Sequence, residues 1–324
     1  MTEIFLVAIA VLPPLFLAAF FLTHFRHRFG FRLGFRAVVG GMVSAPLALG
    51  FSILLSRLGL PHDGIAGAAV HAWMGAAIPE EIAKFMIVWF YIRRHPACDS
   101  AGDLFCGSVL VGIGFALLEN LLYVFDAGPV WLQTGLMRAV LAVPGHTIDG
   151  MMMGVFLAWW WRRAISPGLA IVLALFLPIM AHGLYDFPLM GLEAIDGMGL
   201  DAPDGWGEAL YYLFIGVLAI SAVAAIWAAR AELIEVFDHA EPDIDLRPGP
   251  AGTLRAWRWL GRIVQFGAVG AALIGILLHA HGEPEGMAIV SIALLPAAFG
   301  TIMTMRLPRD GATIRNWPRV ASPK

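Results

Sequence analysis

"IFLVAIAVLPPLFLAAFFL", residues 4–22, contains no charged or strongly polar side chain. As a helix, a run of that kind reaches across the roughly 30 Å hydrocarbon core of a bilayer. No basic segment precedes it, whereas Arg26, Arg28, Arg32 and Arg36 follow it. That order reads as a retained first membrane helix with its N-terminus outside, not as a cleaved signal peptide. The whole chain shares this character: of 324 residues, 59% are hydrophobic and 14% charged. Its mean hydropathy of +0.77 lies beyond the range of soluble domains. A formal net charge of -3 offers no basic surface for nucleic acid. Cys98 and Cys106 form no C-x-x-C pair, which argues against a disulfide framework or a zinc ribbon.

Apolar runs near about 20 residues predict an all-α polytopic transmembrane bundle of about nine spans. They fall near 3–23, 37–55, 68–92, 104–125, 146–161, 169–187, 209–228, 263–280 and 287–305. The positive-inside rule tests this count, because a wrong number of spans would scatter Lys and Arg over both sides. Of the 21 basic residues, all but Arg57, Arg138 and Lys84 fall on one side, giving an N-out, C-in orientation. Segment 127–145 lies on the outer side and is too polar for a span, which suits an interfacial or re-entrant helix.

This layout divides the chain into a seven-span catalytic membrane domain at 1–230, with its core at 65–190, and a cytoplasmic linker at 231–262. A two-span extension at 263–324 with a basic tail follows. The loop 191–208 is acidic and faces outward; no internal repeat is visible.

The third span carries "AIPEEIAKFM", residues 77–86, with Glu80, Glu81 and Lys84 where hydrocarbon should be. A charged side chain at a helix centre costs roughly 2.5–3.5 kcal/mol on insertion scales, and an apolar one returns only about 0.3–0.6. Three charges facing lipid would cost on the order of 8–10 kcal/mol, so they must face the bundle interior. Glu80 and Lys84 are related by i, i+4 and can pair; Glu81 lies about 100° round the helix and needs another partner. Pro79 should perturb the helix just before the acids.

Three further spans carry polar residues. "GFALLENLLY" holds Glu119 and Asn120, "VPGHTIDGMMMG" holds His146 and Asp149 about a turn apart, and "MAHGLYDFP" holds His182 and Asp186 at i, i+4. With the third span entering from outside, all four sets fall at one depth, at or outward of the midplane. Imidazole, carboxylate and amide are what a zinc site or a water-activating acid–base site needs. Glu119, Asn120 and Asp186 can serve as third ligands or as partners that fix a histidine tautomer. Gly107, Gly112, Gly114, Gly150 and Gly154 would permit close helix approach or admit a substrate helix.

In four ordered stretches, "PEEIAKF", "GFALLENLLY", "PGHTIDGMMMG" and "HGLYDF", the chain resembles the PrsW family of intramembrane proteases, distant relatives of the CAAX-processing and bacteriocin-processing membrane proteases. The resemblance covers roughly residues 65–190. It implies a bacterial inner-membrane protein that hydrolyses peptide bonds of membrane-anchored substrates such as anti-sigma factors. It leaves open a glutamic-type or a zinc-dependent mechanism, with Glu80, Glu81, His146 and His182 catalytic and Lys84, Glu119, Asn120, Asp149 and Asp186 in support. Should zinc be used, the expected ligands are His146, His182 and Glu119.

A carboxylate held away from water is able to take a proton from water near neutral pH. Lys84 opposes this for whichever glutamate it holds, so pairing Lys84 with Glu80 would leave Glu81 as the base. The histidines would ligate zinc or donate hydrogen bonds to the oxyanion.

Two other classes use similar residues. A proton-coupled transporter needs intramembrane Glu, His and Lys, but here they gather in one layer without an inverted repeat. A non-catalytic scaffold or regulator, like the related anterior-pharynx-defective subunit of gamma-secretase, has less need of both glutamates together with both histidines.

Overall fold

A computed structural model describes residues 2–24, 30–198, 205–238, 251–283 and 285–305. Among them are helices and no strand. Helices α1 (Thr2–His24) and α2 (Phe31–Ser56) are followed by a helical run over 64–92 that comprises α3 (Gly64–Val70), α4 (Ile78–Met86) and two wide turns. Then come α5 (Ala101–Asp126), the short α6 (Trp131–Val140), α7 (Ala142–Trp161), α8 (Pro167–Met198), α9 (Trp206–Asp238), α10 (Ala251–Ala280) and α11 (Glu285–Thr304). Among the described residues, eight helical runs are long and apolar enough to cross a membrane, one of them 128–161, which takes in α6 and α7. The protein is a polytopic membrane protein.

The expected third span lies within the run 64–92, which is helical throughout but not uniformly α. Residues His71–Ala77 and Ile87–Ile92 follow the wider i→i+5 pattern, a geometry that recurs at functional sites. Proline has no N–H, so Pro79 cannot bond the carbonyl of Gly75 four residues back. The Ser52 hydroxyl on α2 donates to that carbonyl instead, at 2.6 Å. Placing Pro79 just ahead of the acids thus widens the preceding turn and ties it to a neighbouring helix.

Helix α5 runs through the middle, packed by α1, α2, α6 and α7. Small and apolar residues all round it allow burial on every face. Its start is fixed by a capping box: Asp103 N donates to Ser100 Oγ at 3.1 Å, and Ser100 N donates to Asp103 Oδ2 at 3.0 Å. Glycines let α5 and α7 touch. A Cβ on Gly112 would overlap the carbonyl of His146, and one on Gly150 would press on Ser108, so the close-packing role expected of these glycines is the one they perform.

Several boundaries differ from those read in the sequence. Helix α8 continues to Met198 through much of the expected acidic loop, because its apolar face persists beyond Pro188. Helix α10 begins at Ala251, so residues 251–262 are helical where a linker was expected. The remainder of that linker (239–250), loop residues 199–204, Arg26, Arg28 and the basic tail from 306 lie outside the described residues. Nor do α10 and α11 stand apart: α11 packs on α9, and Trp257 of α10 donates to Thr23 Oγ1 of α1 at 2.7 Å. Both cysteines are buried, and no disulfide forms among the described residues.

Candidate active site

Four helical runs bring their polar residues to one place, as the sequence suggested. Glu80, Glu81 and Lys84 come from α4, Glu119 and Asn120 from α5, His146 and Asp149 from α7, and His182 and Asp186 from α8. The i, i+3 and i, i+4 relations turn each set inward, and Gly183 beside His182 leaves room for the indole of Trp73.

Lys84 is at the centre and almost fully buried. Its ammonium donates to Glu81 Oε1 at 2.7 Å, to His146 Nδ1 at 3.0 Å, and more distantly to Glu80 Oε2 at 3.5 Å. The ring of Phe115 lies 4.0 Å from the same nitrogen, a favourable cation–π contact where water is excluded. This reverses the expected pairing. Lys84 takes Glu81 as its close partner, because the i, i+3 path is the shorter one here, and Glu80 is the acid left looser. The two acids also differ in access: the Glu81 side chain is 0% exposed, whereas that of Glu80 is 13% exposed and lines a cavity.

Both imidazoles are held from behind. Lysine has no acceptor, so His146 Nδ1 must accept its proton and His146 Nε2 donates to Glu119 Oε2 at 2.7 Å. His182 Nε2 faces Asp186 Oδ2 at 3.2 Å, and its Nδ1 faces Glu81 Oε1 at 2.9 Å. A neutral ring donates through one nitrogen only, so a second proton, on the ring or on one acid, completes that pair of bonds. Asp149 Oδ2 stands 4.0 Å and 3.9 Å from the two Nδ1 atoms. Of the two places left open for Glu119 and Asp186, ligand or partner of a histidine, the geometry favours the second: each holds the Nε2 of one ring while both Nδ1 atoms turn to the centre.

Arg138 on α6 was read only as an outer basic residue. It donates from Nε to Asn120 Oδ1 at 2.8 Å and from Nη2 to Glu119 Oε2 at 2.5 Å, and lies over the ring of Tyr123 at 4.1 Å. Asn120 Nδ2 in turn reaches the carbonyl of Ala10 at 3.4 Å. A clue was present in the sequence, since an arginine on the side that otherwise lacks them needs a partner. Segment 127–145 is a short helix joined to α7 at Leu141, and its basic residue braces the site.

These residues open on a cavity of about 490 Å³. Its lining combines Glu80, Glu119, Arg138, His146, Asp149, His182 and Asp186 with mainly apolar residues of α8, α9 and α11. One donor atom from each of Glu80, Glu81, His146 and His182 lies within 4.8 Å of all the others. Two imidazoles and two carboxylates suit zinc, and carboxylates behind the rings are the usual backing of metal-bound histidines. Glu81 Oε2 is buried without a hydrogen-bond partner, as a ligating oxygen would be. The residues therefore fit a metal ion, with Glu119 outside the mutual set.

Comparison with known proteins gives a consistent result. Residues 31–232 match the family described as PrsW family intramembrane metalloprotease. The protein named Protease PrsW of Geobacillus kaustophilus is 30% identical over 59% of this chain and 76% of its own length. Its namesake in Halalkalibacterium halodurans is 29% identical over 57% of this chain and 83% of its own. That of Clostridioides difficile is 33% identical over 40% of this chain and 55% of its own. No solved structure matches the chain significantly.

Proposed function

The chain belongs to the PrsW family of intramembrane metalloproteases, and from that premise we propose that it cleaves membrane-anchored protein substrates of the anti-sigma-factor kind, with Glu80 activating the attacking water. The observation that carries this reading is the division of labour in the acid pair. Glu81 is neutralised by Lys84 and sealed off, whereas Glu80 faces the cavity beside His182, its Oε2 3.8 Å from His182 Nε2. A general base needs both a path to its water and freedom from a tight cationic partner; only Glu80 has both.

His146, His182 and Glu81 would hold a zinc ion, which when bound polarises the scissile carbonyl and acidifies a water. Lys84 keeps Glu81 ionised and in place. Glu119 and Asp186 fix the two rings, so that the site is organised before substrate arrives. The looser Glu80 can pass the proton it takes from water to the departing amine. In the N-out, C-in orientation expected from the placement of Lys and Arg, the cut would fall in the outer half of the bilayer of a bacterial membrane. The transporter and scaffold readings give way to the protease, which the relatives' shared name supports.

The test is cleavage of a membrane-anchored reporter by purified protein in liposomes. Glu80→Gln and His182→Ala should each lose cleavage while folding normally; retained cleavage in both would sink the reading.

A further inference from the structure

The family match ends at residue 232, yet the catalytic cavity does not. Ala288, Ser291, Ile292 and Leu295 of α11 line it, and their i, i+3, i+4, i+7 spacing makes them one face of that helix. The face is fixed in position. Helix α11 packs on α9, and Gln265 Nε2 of α10 donates to Thr301 Oγ1 at 3.2 Å. Phe214 and Leu218 of α9 and Leu189 of α8 add apolar side chains to the same lining. Tyr211 of α9 lines the cavity as well, and its hydroxyl is buried without a hydrogen-bond partner. An unmet donor in a largely apolar cavity shared with the acids and histidines is suited to a backbone carbonyl of an extended peptide.

We propose that α11 supplies the specificity wall of the protease: its Ala288–Leu295 face receives an apolar substrate side chain next to the scissile bond, and Tyr211 binds the adjoining backbone. This rests on the protease reading above. Neither helix of the α10–α11 pair contributes an acid or a histidine to the cluster, so their part is recognition. One methylene more or less in an apolar pocket alters selection by roughly 10–200-fold.

The experiment uses the full-length chain and two membrane-anchored reporters that differ only in Ala or Leu beside the cleaved bond, with the products mapped by mass spectrometry. Ser291→Trp, which narrows the chamber, should lower kcat/KM for the Leu reporter relative to the Ala reporter by about 10-fold or more. Ile292→Ala, a milder change that enlarges it, should shift the ratio the other way. A ratio unchanged in folded Ile292→Ala protein overturns the proposal even if the tryptophan variant does not fold. A second arm does not depend on cleavage. In a Glu80→Gln background, a photocrosslinking amino acid at position 292 should capture the reporter, while one at Phe266, on the exposed face of α10, should not. No capture at 292 removes the wall; capture without any cleavage by the unmodified protein removes the protease reading and leaves the binding wall standing.

Discussion

Lys84 Nζ lies 2.7 Å from Glu81 Oε1, with both groups withdrawn from the cavity. The pair is structural in the sense that each charge is intolerable without the other: removing one partner of a buried pair costs about 3–5 kcal/mol. Glu81→Gln should therefore lower the unfolding temperature and the yield of folded protein in membranes. Glu80→Gln should leave both near those of the parent and reduce cleavage by about 100-fold or more. Equal losses of stability in the two variants would contradict this division.

Metal binding separates the ligand residues from those that back them. Protein purified with zinc and then dialysed should retain bound metal by elemental analysis. His146→Ala and His182→Ala should retain far less, while Glu119→Gln should weaken retention by about 10–100-fold, the usual effect of removing a ligand's partner. Undiminished metal in both histidine variants would exclude the proposed set.

Arg138 acts through Glu119 and Asn120. Arg138→Ala should lower kcat by about 10–100-fold with KM nearly unchanged. Arg138→Lys should recover only part of the rate, since lysine is a point charge without the planar fork that grips two acceptors at once. A change confined to KM would place the arginine in substrate binding instead.

Outside the spans, Cys98 gives a pH-dependent check on packing. Burial, reinforced by Asp103 and Asp99, pushes its thiol up to about 12. The thiolate is the reactive form, so it is scarce below that pH. A water-soluble maleimide at pH 8 should label Cys98 in denatured protein but hardly at all in folded protein. Rapid labelling of the folded chain would show that the turn between the run 64–92 and α5 is open.

The spans and the four polar clusters were legible in the sequence for one reason: a charge among apolar residues has nowhere to point but inward. Glu80, Glu81, His146 and His182 could therefore be placed together without coordinates. The order within the acid pair could not, because residues three and four apart are both neighbours on a helix and the choice between them depends on where His146 and Phe115 stand. Arg138 was missed because a ten-residue helix with polar residues reads as interfacial, and nothing in its spacing names Glu119. That α11 lines the cavity was hidden for the opposite reason. An apolar helix face looks the same whether it meets lipid, another helix or a cavity.

Helix α11 emerges from the ribosome more than a hundred residues after His182. Until it inserts and packs on α9, the cavity lacks the side formed by Ala288, Ser291, Ile292 and Leu295. In chain order every acid and histidine of the site therefore precedes the helix that closes this side of the cavity.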